Sequence, residues 1–125
     1  MYYFILAYTE SYGTLHGMYD YELAECDTYE EACEWGLDLA REVVDSYLHV
    51  DDIYSEEDYM SDNDIDEWDE CYRDDYWDVF NEAREQECAF EIYQLKDKYN
   101  EDTFKEWKKE NMPPRDFIER YCKSL

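Results

Sequence analysis

Residues 1–95 hold only three basic side chains, Arg41, Arg73 and Arg84, against 29 acids. Their net charge is -26 (3 minus 29), whereas residues 96–125 carry eight bases and seven acids, a net of +1 (8 minus 7). Self-repulsion on that scale works against any compact state. A fold is open to such a chain only if each element turns its acids outward and keeps another face for burial. The composition supplies that second face. Hydrophobic residues make up 45% of the chain and aromatics 19%, including 15 Tyr and 4 Trp. Disordered acidic tails are poor in such residues, because they bury too little apolar surface to offset ordering entropy. The 125 residues therefore read as one domain, 1–125, that buries roughly two-thirds of its unfolded surface.

The charge also bears on partners. Nucleic acid phosphates and anionic membrane surfaces would repel it, so direct contact with either is not expected. No stretch approaches the ~18 apolar residues of a membrane span. The apolar run at residues 2–8 is short and lacks a basic flank and a small-residue cleavage pattern, so no secretory leader is expected. Five cysteines without close pairs read as reduced thiols in the cytoplasm.

Residues 2–9 are apolar on both faces and predict a central strand. Residues 18–25 alternate, with Tyr19, Tyr21 and Leu23 on one side and Asp20 and Glu22 on the other. They predict a half-solvated strand, hairpinned to the first. Thr28 and Glu31 have capping-box spacing and open a helix that runs to about Leu48. Its apolar face comprises Tyr29, Ala32, Cys33, Gly36, Ala40, Val43, Val44 and Tyr47. Glu31, Glu34, Asp38, Glu42 and Asp45 lie opposite.

Residues 49–64 read as an acidic loop with one helical turn after Ser55. Asp64 and Glu67 suggest a second capping box, before a helix over 65–87 that buries Ile65, Trp68, Tyr72, Tyr76, Val79, Phe80 and Ala83. Residues 88–95 either extend that helix or, as the alternation favours, form a third strand. Short helices are expected over 103–110 and 115–123, the latter after Pro114. The order is ββααβαα: an α+β fold, with a small antiparallel sheet of two to three strands and an N-terminal hairpin, covered by about four helices.

The constellation with most chemistry is the carboxylate display. Between Asp51 and Asp78 stand 14 acids against one base, Arg73. Acids three or four residues apart on a helix are neighbours about 5–6 Å apart. Solubility alone is served by mixed signs, so a nearly lysine-free face points to a basic partner. The candidate partner-binding residues are Glu34, Asp38, Asp51, Asp52, Glu56, Glu57, Asp58, Asp62, Asp64, Glu67, Glu70, Asp74, Asp78 and Trp77. By helical phase Trp35 and Trp77 point to the acidic side. Each either anchors an interface or covers a neighbouring element.

Metal sites are weaker candidates. Asp62, Asp64 and Asp66 match the start of an EF-hand loop, but Glu67 stands where the loop needs Gly and Arg73 where it needs Glu. Zinc has seven possible ligands: His16, Cys26, Cys33, His49, Cys71, Cys88 and Cys122. None forms a C-x-x-C or H-x-x-x-H pair. Cys33, Cys88 and Cys122 read as core thiols, which leaves His16, Cys26, His49 and Cys71. No cofactor is expected. Neither a phosphate-cradling loop nor a histidine–nucleophile pairing is visible, so no enzyme is expected.

In size, charge, aromatic richness and short α+β layout the chain resembles the small acidic anti-defence proteins of phages and mobile elements. That class includes anti-CRISPR and anti-restriction proteins, several of which imitate nucleic acid. The resemblance implies an inhibitor in the host cytoplasm, docked on a basic nucleic-acid groove of a nuclease. A CRISPR effector such as Cas9 has a groove of that kind for guide and target backbones. Glu67, Glu70, Asp74 and Asp78 would then meet its Lys and Arg. The competing expectation is a zinc-binding or structural accessory protein whose acidity serves solubility.

Overall fold

Every side chain of a central strand must find an apolar partner on one face or the other, and β1 (Tyr2–Thr9) does so. It pairs antiparallel with β2 (Tyr19–Glu25) on one side and β3 (Cys88–Gln94) on the other. The sheet order is β2-β1-β3, with the expected N-terminal hairpin. Phe4 stands opposite Leu23 and Tyr93, and Ile5 opposite Glu22 and Ile92. The computed structural model describes residues 1–14, 17–65 and 70–123; at residues 50, 51, 70 and 71 it describes the backbone only.

One face of the sheet is covered by α1 (Tyr29–Tyr47), where Ala32, Leu39, Ala40 and Val43 meet Ile5, Ala7, Ala24 and Ile92. Thr28 caps this helix, its hydroxyl accepting the Glu31 N–H at 3.2 Å. The Glu31 carboxylate reaches one residue further back and accepts the Asp27 N–H. Gly36 is what lets the helix lie so close to the sheet. A β-carbon there would stand 2.7 Å from Phe90 Cδ2 and 3.0 Å from Ile92 Cδ1.

The other face is covered by α5 (Glu101–Lys108) and α6 (Pro114–Tyr121), around Phe4 and Leu6. The Phe4 and Phe117 rings lie 4.6 Å apart, and Trp107 meets Phe4 edge-on at 6.2 Å. Trp107 Nε1–H donates to Asp116 at 2.8 Å and ties α5 to α6. Pro114 sits in the first turn of α6, as its ring geometry favours. The N-cap of α5 is Asn100, three residues before the expected start at Thr103.

The segment between α1 and β3 departs from the expected loop. It holds two further short helices, α2 (Val50–Tyr54) and α3 (Glu56–Asp62), before α4 (Glu70–Glu87). Ser55 separates them and caps α3, accepting the Asp58 N–H at 3.1 Å. α3 stands where one helical turn is expected after Ser55, whereas α2 is too short to show periodicity and its composition reads as loop. Asp64 is not the N-cap of the next helix. Its φ is +54°, and it donates its N–H to Ser61 while Ile65 donates to Met60. That is a Schellman closure of α3. Glu67 lies outside the described residues, as does Trp68.

α4 packs Tyr76 and Phe80 on Tyr59, Ile53 and Tyr54, a third cluster separate from the two sheet cores. Tyr72 and Val79, placed inward by periodicity, are exposed, as are Tyr29 and Tyr47 at the two ends of α1. α4 ends at Glu87 and β3 starts at Cys88, with no loop between. The turn after β1 clamps this junction: Glu10 N–H donates to the Glu87 carbonyl at 2.8 Å, and Ser11 N–H to its carboxylate at 3.1 Å.

Gly36→Ala should destabilise the fold by about 1–3 kcal/mol, the range for overpacking a close core contact. Urea denaturation would show a lower midpoint at unchanged slope. An unchanged midpoint would mean that α1 stands off the sheet at this point.

Candidate acidic docking face

The acids of α1 form one outward ridge because its inward residues are fixed by the sheet. Glu31, Glu34, Asp38, Glu42 and Asp45 are all exposed. At 1.5 Å per residue they span about 21 Å of helix. On α4, Asp74 and Asp78 are exposed on the side away from Tyr76 and Phe80.

The structure lays these two helices side by side through arginine. Arg84 of α4 grips Asp45 of α1 with both prongs, at 2.7 and 2.6 Å. Arg41 of α1 reaches Glu85 of α4 at 3.0 Å and touches Asp38 at 3.4 Å. The guanidinium of Arg84 holds the Asp45 carboxyl below the usual carboxylate range. Exposed ion pairs add little stability. Here they join the two helices and occupy two of the three bases of residues 1–95.

The remaining candidates divide. Glu56, Glu57 and Asp58 are exposed in the first turn of α3, where they also suit the helix dipole. Asp52 accepts the His49 N–H at 2.9 Å. Asp62 accepts the Tyr54 hydroxyl at 2.6 Å, and that bond pushes the Tyr54 phenol up to about 12. Asp62 is the last residue of α3 and Asp64 is part of its closure, while Asp66 and Glu67 of the EF-hand pattern lie outside the described residues. The side chains of Asp51 and Glu70 lie outside the described set, as does Asp66.

Trp77 is 39% exposed, yet its ring meets Tyr76 and Phe80 edge-on at 5.1 and 5.2 Å. It roofs the third cluster and offers its outer edge. Trp35 is 43% exposed beside β2, where its Nε1–H donates to Glu22 at 2.7 Å. The partnership of Glu22 with this helix was not visible in the sequence, since strand alternation marks Glu22 only as solvated.

The zinc candidates do not gather among the described residues. Cys26 is buried in the α1 core, and burial pushes its thiol up. His49 is exposed at the start of α2. His16 and the Cys71 side chain lie outside the described residues. No three His, Cys, Asp or Glu side chains among the described residues stand close enough to hold a metal ion.

The opposite side of the molecule has another character. Bases of the last 30 residues pair locally, as in Lys105–Glu101, Lys109–Glu106 and Arg120–Glu110. Arg115 of α6 grips Glu91 of β3 at 2.7 and 2.6 Å, and Tyr93 donates to the same carboxylate. Arg115 and those hydroxyls hold Glu91 below the usual carboxylate range, while burial and Glu91 together push Tyr8 up to about 12. No sequence signal marked this cluster, because its members come from β1, β3 and α6 and meet only in the fold.

No protein-family model matches the chain, and no curated protein or solved structure matches it significantly. No helix among the described residues is long and apolar enough to cross a membrane.

Because Glu91 titrates below its ordinary value of 4.5 in the fold, its pairing stabilises above that pH and is lost as pH falls through the folded value. Glu91→Gln should therefore be less stable than the parent at neutral pH, with the gap narrowing as pH falls below the ordinary carboxylate range. Chemical denaturation at several pH values measures this. A gap that is constant with pH would assign the loss to packing instead.

Proposed function

We propose that the chain is a docking inhibitor, which lays the carboxylate face of α1 and α4 on a basic phosphate-binding groove of a nucleic-acid-processing nuclease. A CRISPR effector is the leading target, blocked at guide or target DNA engagement. The observation that carries this reading is the disposition of charge across the two helices. Glu34, Asp38, Glu42, Asp74 and Asp78 all face solvent, while Arg41 and Arg84 are drawn into the seam between α1 and α4.

A groove that holds a nucleic acid backbone presents Lys and Arg along a line. Rows of carboxylates on two joined helices meet such a line without induced folding. Long-range attraction would steer the encounter and make it fast and salt-sensitive. The exposed edges of Trp35 and Trp77 add apolar area where charge alone gives little affinity.

The test is inhibition of DNA cleavage by a panel of purified CRISPR effector and restriction nucleases, with binding measured at low and high salt. Reversal at Asp74→Lys with Asp78→Lys should slow association by at least about tenfold at low salt. Glu101→Lys with Glu106→Lys, on the far side of the sheet, should leave it unchanged. Binding that resists both high salt and the α4 reversals would overturn the reading.

A further inference from the structure

A cavity of about 300 Å³ opens between α1 and β2. Trp35 and the nearly buried Leu39 give its apolar wall, and Glu22, Glu34, Asp38 and Glu42 stand around it. Its volume is at the small end of ligand pockets. That size suits one long side chain better than a whole metabolite.

Three observations narrow what enters. First, the only donor of the Trp35 indole is already committed, at 2.7 Å, to Glu22. The ring therefore has its π face left to offer, and the bond fixes its angle. A π face attracts cations. Second, Glu34 and Glu42 have no hydrogen bond or ion pair among the described residues, and Asp38 has one long contact, to Arg41 at 3.4 Å. Third, these carboxylates line one cavity without converging, since no three ligating side chains among the described residues are close enough for a metal ion. A bare cation would be held poorly. A broad, delocalised cation with several donors would reach more than one carboxylate at once.

We infer that this cavity captures an arginine side chain of the basic partner, with the guanidinium flat on Trp35 and its N–H groups shared among Glu34, Asp38 and Glu42. Guanidinium is planar, weakly hydrated and carries five donors in a fixed fork, so it stacks and pairs in one pose. A lysine ammonium is compact and strongly hydrated, and it gains less from the ring. The inference rests on the acidic-docking reading and sharpens it. It moves the anchor from the charge rows of α4 to one aromatic pocket at the α1–β2 edge, and it names the residue type that fills it.

The test uses the full chain with an oligo-arginine and an oligo-lysine peptide of equal length, by calorimetry at one ionic strength. The parent should prefer oligo-arginine. Trp35→Ala should weaken oligo-arginine binding by about tenfold, the scale of a partly desolvated cation–π contact, and leave oligo-lysine binding unchanged. Trp35→Phe should fall between. If Trp35→Ala fails to fold by circular dichroism, Glu34→Gln with Glu42→Gln should weaken oligo-arginine binding more than oligo-lysine binding. Equal loss for both peptides, or none, overturns arginine capture. If that happens while Asp74→Lys with Asp78→Lys still weakens both peptides, the acidic-docking reading stands without the pocket. If neither peptide binds the parent at low salt, both fall.

Discussion

β1 gives Tyr3, Ile5 and Ala7 to the core under α1, and Phe4 and Leu6 to the core under α5 and α6. Both helical layers are thus held by one strand of eight residues. Edge strands alone would not do this, because β2 is half solvated and β3 is only partly covered. Double-sided burial also answers the charge problem. A chain of net charge -25 gains little from polar contacts on its surface. Its stability has to come from apolar area in the interior, where large aromatic side chains bury the most per residue.

Much of this was legible. The unbroken apolar run of β1 announced a strand buried on both faces, and the alternation of Tyr19, Tyr21 and Leu23 announced a half-solvated neighbour. Thr28 marked the start of α1 because capping chemistry is local. Legibility failed where a structure is short or depends on distant partners. α2 is too brief for periodicity to show, α3 was legible only as a single turn after Ser55, and Asp64 looked like a cap for the following helix when its backbone closes the preceding one. Tyr72 and Val79 have the right phase for burial, but the contact of α4 with α2 and α3 is made by Tyr76 and Phe80 and leaves them exposed.

The candidate face was readable as composition but not as geometry. Outward acids on α1 and α4 follow from helical phase. That Arg41 and Arg84 would be spent on joining those helices does not follow, because bridges across 39 to 44 residues leave no local trace. The same holds for Glu22, whose bond to Trp35 turns an ordinary exposed indole into an oriented ring. Several sequence candidates, Asp52 and Asp62 among them, already serve the fold, so their carboxylates are less available to a visitor.

The absence of a loop between α4 and β3 has a mechanical side. Most surface helices are hung on flexible connections and tilt without disturbing what lies beneath. α4 is mounted differently: its last residue is clamped by the turn after β1, and the next residue is already in the sheet. A tilt of the helix at Glu87 is delivered directly to the rungs that join β3 to β1, where a flexible connection would absorb it.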